Sequence, residues 1–371
     1  MERKVFSLFR DWKNNPDRKP LIVTGCRQIG KTYSVKKFVK ENYTSSIYVN
    51  FEDSLELVEW FQGTLDVDSV VSKLMIDSGV RLTPGKSAII MDEIQRSSGA
   101  MSWLKVAAID GRFDIIATGS LLGLGLNMDQ NRLSPMGYVE FLEMHPMDFE
   151  EYLWAMGYSK DFTEYLRTCI KDKAPIEKFI YWQAREQFLN FIIVGGMPAA
   201  VHAYSKNRAY KDAVMQHKHI LGIIERDSQL YSGKTSQVRI SKCLRSVPHQ
   251  LAKDNGVFEY LSVEKKRGYG GREYGPAIMW LEKAGLINLC YNVDEPVKPL
   301  FARVNEKRFK IYLMDTGMLM ALVNHEGASA IALTDPFANN GSVMENAIAC
   351  SLVLNKKYSM TQQSAFSILF I

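Results

Sequence analysis

Pro20-Leu-Ile-Val-Thr-Gly-Cys-Arg-Gln-Ile-Gly-Lys-Thr32 decides the fold. Its apolar opening reads as a strand, Gly25 to Gly30 as a turn, and Lys31-Thr32 as the start of a helix running to about Lys40. The spacing Gly-x-x-x-x-Gly-Lys-Thr, set between strand and helix, is that of a phosphate-binding loop. In a chain of this length it arises by chance on the order of one time in a hundred. The chemistry demands this arrangement: the glycines let main-chain N–H groups turn inward, and the helix N-terminus adds partial positive charge. Gly25, Cys26, Arg27, Gln28, Ile29 and Gly30 are therefore expected to cradle the phosphates of a nucleotide such as ATP. Lys31 is expected to reach the β/γ-phosphates and to serve catalysis, and Thr32 to hold Mg²⁺.

Three further apolar runs follow. Ile47–Phe51 ends in Glu52-Asp53, Ala88–Met91 in Asp92-Glu93, and Ile115–Thr118 in Gly119-Ser120. Stretches of helical length, such as 66–78 and 101–110, separate them, so strands alternate with helices. That alternation predicts an α/β core of the P-loop NTPase type, a parallel sheet flanked by helices. Each strand ends in polar residues, on the edge where such sheets bind ligands. Asp92 is the expected second metal residue and Glu93 the residue that orients an attacking water. An acid at the end of a buried strand is commonplace alone; paired with the phosphate loop, it completes a two-part site. Thr118 and Ser120 flank Gly119 at the next strand end, where a hydroxyl can meet the γ-phosphate; Ser120 can equally cap a helix. Arg132 and Arg226 are candidates for a charge-stabilising arginine, against the ordinary fate of arginine as a solvated surface residue.

Composition narrows the remaining classes. The chain has 371 residues with 46% hydrophobic and 23% charged, enough for more than one core and too apolar to be disordered. Five scattered cysteines form neither Cys-x-x-Cys nor a Cys/His cluster, which argues against a disulfide scaffold or a zinc site. Met1 to Trp12 mixes charges into its apolar residues like an amphipathic helix, unlike a secretion signal. The most apolar later stretch, 188–204, is broken by Gly195-Gly196 and Pro198 and is too short to span a bilayer. A cytoplasmic protein without a membrane partner is expected. The net charge of +5 is mild, but residues 231–283 hold ten Lys/Arg against five Asp/Glu, so the whole excess resides there.

From Asp148 onward the β/α alternation gives way to long aromatic-rich helical segments. Residues 231–291 then read as a helix (238–253), a basic Gly-rich loop (265–272), a short helix (276–284) and a strand (286–291). That order is compatible with a winged-helix-like α+β module whose cations contact DNA phosphates, although charged helices are usually a solvated face. His217 and His219 read as helix-surface residues.

In order along the chain stand residues 25–32, Asp92-Glu-Ile-Gln95, Ala117-Thr-Gly-Ser120, Pro146-Met-Asp-Phe-Glu-Glu-Tyr-Leu153, Gly195-Gly-Met-Pro-Ala-Ala-Val201 and Met314-Asp-Thr-Gly-Met-Leu319. Together they resemble a prokaryotic family of AAA+ ATPases with a C-terminal domain of unknown function. The resemblance implies an ATPase core at 1–150, a helical region at 151–230, a winged-helix-like module at 231–325 and the start of a C-terminal domain at 326–371. It also implies Ser120 at a nucleotide-sensing position, with Asp92 and Glu93 as metal and water residues. Many relatives have Gly-Arg where this chain has Gly137-Tyr138, and continue past Gly341-Ser-Val-Met-Glu345-Asn346 into a nuclease-like fold. No Asp or Glu follows Glu345 here, so a carboxylate-based nuclease site is not expected, and the chain reads as a truncated member. The expected function is Mg²⁺-dependent ATP binding and hydrolysis coupled to movement of a DNA-binding module. Three alternatives stand beside it: a nucleotide-gated switch acting on a protein partner, a DNA-binding regulator with a structural P-loop domain, and a decayed remnant.

Overall fold

Runs of apolar, often β-branched residues leave a strand no solvent face, and Leu21–Gly25 (β1) and Ser87–Asp92 (β3) are buried at every position. In the computed structural model they join Ser45–Asn50 (β2), Asp114–Thr118 (β4) and Glu140–Met144 (β5) in one parallel sheet of order β2-β3-β4-β1-β5. Residues 1–63, 66–120, 137–253, 255–264, 270–295, 297, 299–325 and 341–358 are described. They divide into two compact units: Arg3–His145, and Met1–Glu2 with Pro146–Ile371.

In the first unit the helices are Val5–Asn14 (α1), Lys31–Asn42 (α2), Leu55–Trp60 (α3), Val67–Ser78 (α4) and Ser98–Asp110 (α5). A core of Ile22, Val49, Phe51, Phe61, Val70, Ile89, Met91, Trp103 and Leu104 joins sheet and helices, with Phe61 edge-on to both Phe51 and Trp103. Strand β5 escaped the sequence reading because two glutamates break the apolar run in Glu140-Phe-Leu-Glu-Met144, on a half-exposed edge. The strand order matters for the site. Insertion of β4 between β1 and β3 pairs Val23 with Thr118 and Met91 with Ala117. The C-terminal ends of all three strands thereby meet.

The second unit is mostly helical: Phe149–Ala155 (α6), Lys160–Lys171 (α7), Lys178–Val194 (α8), Pro198–Asn207 (α9), Tyr210–Leu251 (α10), Tyr260–Val263 (α11) and Gly271–Lys283 (α12). Antiparallel strands Ile287–Val293 (β6) and Val304–Leu313 (β7) follow, then Thr316–His325 (α13) and Gly341–Tyr358 (α14). The 42-residue α10 corrects one element of the sequence reading: the helix expected from Val238 is the second half of one that starts at Tyr210. Gly222 and Gly233 lie inside this helix without ending it.

His217 is a second correction. Far from lying on a helix surface, it is fully buried, with Nε2 2.8 Å from the Val194 carbonyl oxygen and Nδ1 3.7 Å from Asp315 Oδ1. Asp315 in turn accepts from the Gly196 amide at 2.5 Å and the Met318 amide at 2.9 Å. The motifs 195–201 and 314–319 thus meet in one buried polar cluster. Glu345 and Asn346 have structural partners as well. Glu345 Oε1 accepts from Lys310 Nζ at 2.6 Å and Tyr312 OH at 2.7 Å, while buried Asn346 bonds both main-chain groups of Leu313.

Candidate nucleotide site

The loop's conformation is one that glycine permits. Gly25 has φ +142°, and a Cβ there would lie 2.4 Å from both Ile29 Cδ1 and the Met144 carbonyl oxygen. Gly30, at φ +86°, stands at the N-cap of α2. Gln28 also adopts positive φ, so the segment doubles back tightly before the helix. Side chains of Ser54, Asp66 and Ser97 cap α3, α4 and α5, whereas α2 has no side-chain cap. Its first-turn N–H groups, with the positive end of the helix dipole, fit an anionic ligand.

Lys31 closes the loop on itself. Its Nζ donates to the carbonyl oxygens of Gly25 at 3.0 Å and Cys26 at 2.9 Å, and the side chain is buried. Burial lowers its pKa from the ordinary lysine value, opposed by the nearby Cys26, Glu93 and Asp92.

Asp92, at the end of β3, gathers three hydroxyls from three elements. Thr32 Oγ1 donates to Oδ1 at 2.9 Å and Oδ2 at 3.0 Å, Tyr48 OH to Oδ2 at 2.8 Å, and Thr118 Oγ1 to Oδ1. The carboxylate is buried, and Thr118 is fully so. A hydroxyl touching a carboxylate at a phosphate loop is a donor set that fits Mg²⁺, which takes oxygen ligands and commonly keeps several of its waters. Burial, then the hydrogen bond to Asp92, pushes the Tyr48 phenol up from its ordinary value. Tyr48 had no sequence signature beyond its place in a strand. Its outward register on β2, at 39% exposure, is what carries it to the carboxylate.

Glu93 follows in the left-handed region, at φ +53°, before a 3₁₀ turn over Ile94–Arg96. Its Oε2 accepts from Nε2 of the buried Gln95. Ser120 is buried just past Gly119, whose amide donates to the Val23 carbonyl at 3.1 Å. The residues it was expected to cap lie outside the described set, as does Arg132. Arg226 belongs to the second unit, exposed on α10 and bonded to the Gly222 carbonyl of its own helix. The first unit therefore brings together Lys31, Thr32, Asp92 and Thr118, with Glu93 next in sequence and held by Gln95.

In the basic segment, several cations already have partners. Lys242 pairs with Glu264 at 3.0 Å, Arg245 with Glu225 at 2.9 Å and Lys253 with Glu259 at 2.5 Å. Arg272 and Lys283 are exposed on α12, and β7 adds exposed Lys307 and Arg308; Lys265, Lys266 and Arg267 lie outside the described residues.

Among the described residues no helix is long and apolar enough to cross a membrane. No curated protein matches the sequence. Solved structures that align with it include the Thermotoga maritima RuvB Holliday junction branch migration motor, 14% identical, covering 77% of this chain and 87% of that one with a TM-score of 0.33. Two Aeropyrum pernix proteins also align. ORC1 in complex with DNA is 12% identical over 87% of this chain and 91% of its own, TM-score 0.31; ORC2 in its ADP form is 14% identical over 87% and 94%, TM-score 0.36. The P-loop fold is set by the strand order β2-β3-β4-β1-β5 and by the loop that enters α2 at Gly30. Residues 17–153 match the family described as an AAA domain, and residues 185–329 match a domain of unknown function (DUF8612). With its phosphate loop between β1 and α2 and its acidic pair at the end of β3, the chain carries an AAA domain of the P-loop type followed by a domain of unknown function.

Proposed function

We propose that the protein binds ATP with Mg²⁺ at residues 25–32 and hydrolyses it, and that nucleotide state moves the second unit on DNA. The observation that carries the first part is the Thr32–Asp92 contact: a hydroxyl and a strand-end carboxylate, 60 residues apart, are hydrogen-bonded through both carboxylate oxygens beside an uncapped helix N-terminus. Lys31 leaves the Gly25 and Cys26 carbonyls to pair with the β/γ-phosphates, and the N–H groups of the loop and of α2 bind phosphate oxygens. Thr32 and Asp92 would hold Mg²⁺, which would supply positive charge beside the phosphates. Glu93 orients water once it exchanges Gln95 for that water, and Ser120 reads the γ-phosphate. The phosphate loop and the AAA domain match support this reading of the core.

Helices α10 and α12 followed by the β6–β7 hairpin agree with a winged-helix-like module, and α12 and β7 present Arg272, Lys283, Lys307 and Arg308. The paired state of Lys242, Arg245 and Lys253 reduces the free positive charge of the segment. A second reading, a nucleotide-gated switch with little turnover acting on a protein partner, is favoured by one observation: Gln95 already occupies the Glu93 carboxylate. ATP turnover of the full chain, titrated with duplex DNA, single-stranded DNA and neither, separates the two. Turnover that rises with DNA supports the motor; tight ATP binding without turnover in any condition supports the switch. ATP affinity unchanged by Lys31→Ala removes both.

A further inference from the structure

Asp92 has a partner that the phosphate loop does not supply. Thr32 comes from α2 and Thr118 from β4, both elements of the site; Tyr48 comes from β2, beyond β3 in the sheet. Its hydroxyl donates to Asp92 Oδ2 at 2.8 Å. Above the ring, Lys36 Nζ stands 3.2 Å from the centroid. Lys36 lies one turn after Thr32 on α2, so the helix that presents the metal-binding hydroxyl also packs a cation against Tyr48. A cation over a phenol face is attracted to it and holds the ring in place. The carboxylate therefore cannot rotate freely about its last bond: Oδ1 is tied to Thr118 and Oδ2 to Tyr48, with Thr32 between them.

We propose that Tyr48 is a positioning residue for Mg²⁺: by tying down Asp92 Oδ2 it fixes the orientation that the carboxylate would present to the metal. This rests on the reading of residues 25–32 and Asp92 as an Mg²⁺–nucleotide site. Hydrogen-bond partners one step removed from a metal commonly set its affinity by 10–100-fold. Removing the Tyr48 hydroxyl deletes that partner and leaves the ring under Lys36.

The test measures binding, not turnover. The full chain and its Tyr48→Phe variant are titrated with a fluorescent ATP analogue in EDTA and, at fixed analogue, with MgCl₂. The expected result is unchanged affinity in EDTA and a roughly tenfold rise in the Mg²⁺ concentration at half-saturation. In an Asp92→Asn background Tyr48→Phe has no further effect, because the two act as one unit. Three outcomes overturn the proposal: a half-saturation within twofold of wild type, a lower one, or equal weakening with and without Mg²⁺, which marks a merely structural role. The melting temperature without ligand confirms that Tyr48→Phe is folded. Should it fail to fold, Thr118→Val and Lys36→Met replace it, and an Mg²⁺ response to Thr118→Val but not to Lys36→Met overturns the role of the Tyr48 ring. If the wild-type chain binds the analogue without regard to Mg²⁺, or Lys31→Ala binds it normally, the underlying nucleotide reading fails and this inference with it.

Discussion

Lys31 is a cation that the fold keeps at a cost. Its pKa in the folded protein lies below the ordinary 10.5 because burial disfavours the charged form. Between the folded and unfolded values the unfolded chain binds more protons, so stability rises with pH across that window. Lys31→Met, uncharged and of similar length, is expected to lose that pH dependence, as urea melts of both chains at pH values rising toward 10.5 would show. The same variant should not bind ATP. Glu93 tells the complementary story. Glu93→Gln keeps the shape and the neighbouring Asp92 but cannot accept a proton, so nucleotide binding should persist while turnover falls by roughly 10²–10⁴-fold. A single-turnover measurement that finds undiminished hydrolysis in Glu93→Gln would assign the water to another residue.

Helices in the second unit approach more closely than ordinary side chains allow. A Cβ on Gly317, at the start of α13, would meet His217 Nε2 at 2.3 Å and the Val194 carbonyl oxygen at 2.5 Å. Neither can retreat easily, since those two atoms are bonded to each other at 2.8 Å in a buried setting. Gly195 adds positive φ, and a Cβ there would strike Asp315 Oδ1 at 2.4 Å. The glycines let α8, α10 and α13 share one polar cluster in place of an apolar contact. Gly317→Ala is therefore expected to destabilise the protein by about 1–3 kcal/mol, read as a lower denaturation midpoint, by overpacking and by separating His217 from Val194. An unchanged midpoint would mean that the helices adjust at no cost.

The charge excess of the whole chain sits in residues 231–283, and any acidic partner should be felt there. If DNA is that partner, reversing charge at Lys265, Lys266, Arg267 and Arg272 weakens binding and flattens its salt dependence by roughly 0.9 per lost phosphate contact. Affinity and slope unchanged by the reversal would remove DNA from the account. Lys242, Arg245 and Lys253 are poor choices for the same test, because each already pairs with a glutamate and its loss would disturb the second unit itself.

What local sequence settled is what short-range chemistry specifies. Glycine spacing, a Lys-Thr pair and acids at strand ends are readable because each residue type does its work within a few positions of the chain. The same holds for four of the five strands of the parallel sheet, whose apolar runs show regardless of neighbours; β5 was lost because its edge place, with two glutamates, erased that pattern. Packing alone decided the rest. Tyr48 reaches Asp92 only because β2 lies beside β3, and Thr118 does so because β4 enters between β1 and β3. His217 looked like any histidine on a charged helix, yet it is buried because Gly317 lets α13 come close. Contacts of this kind depend on which residues, distant in sequence, are brought to one place, and no local pattern records that.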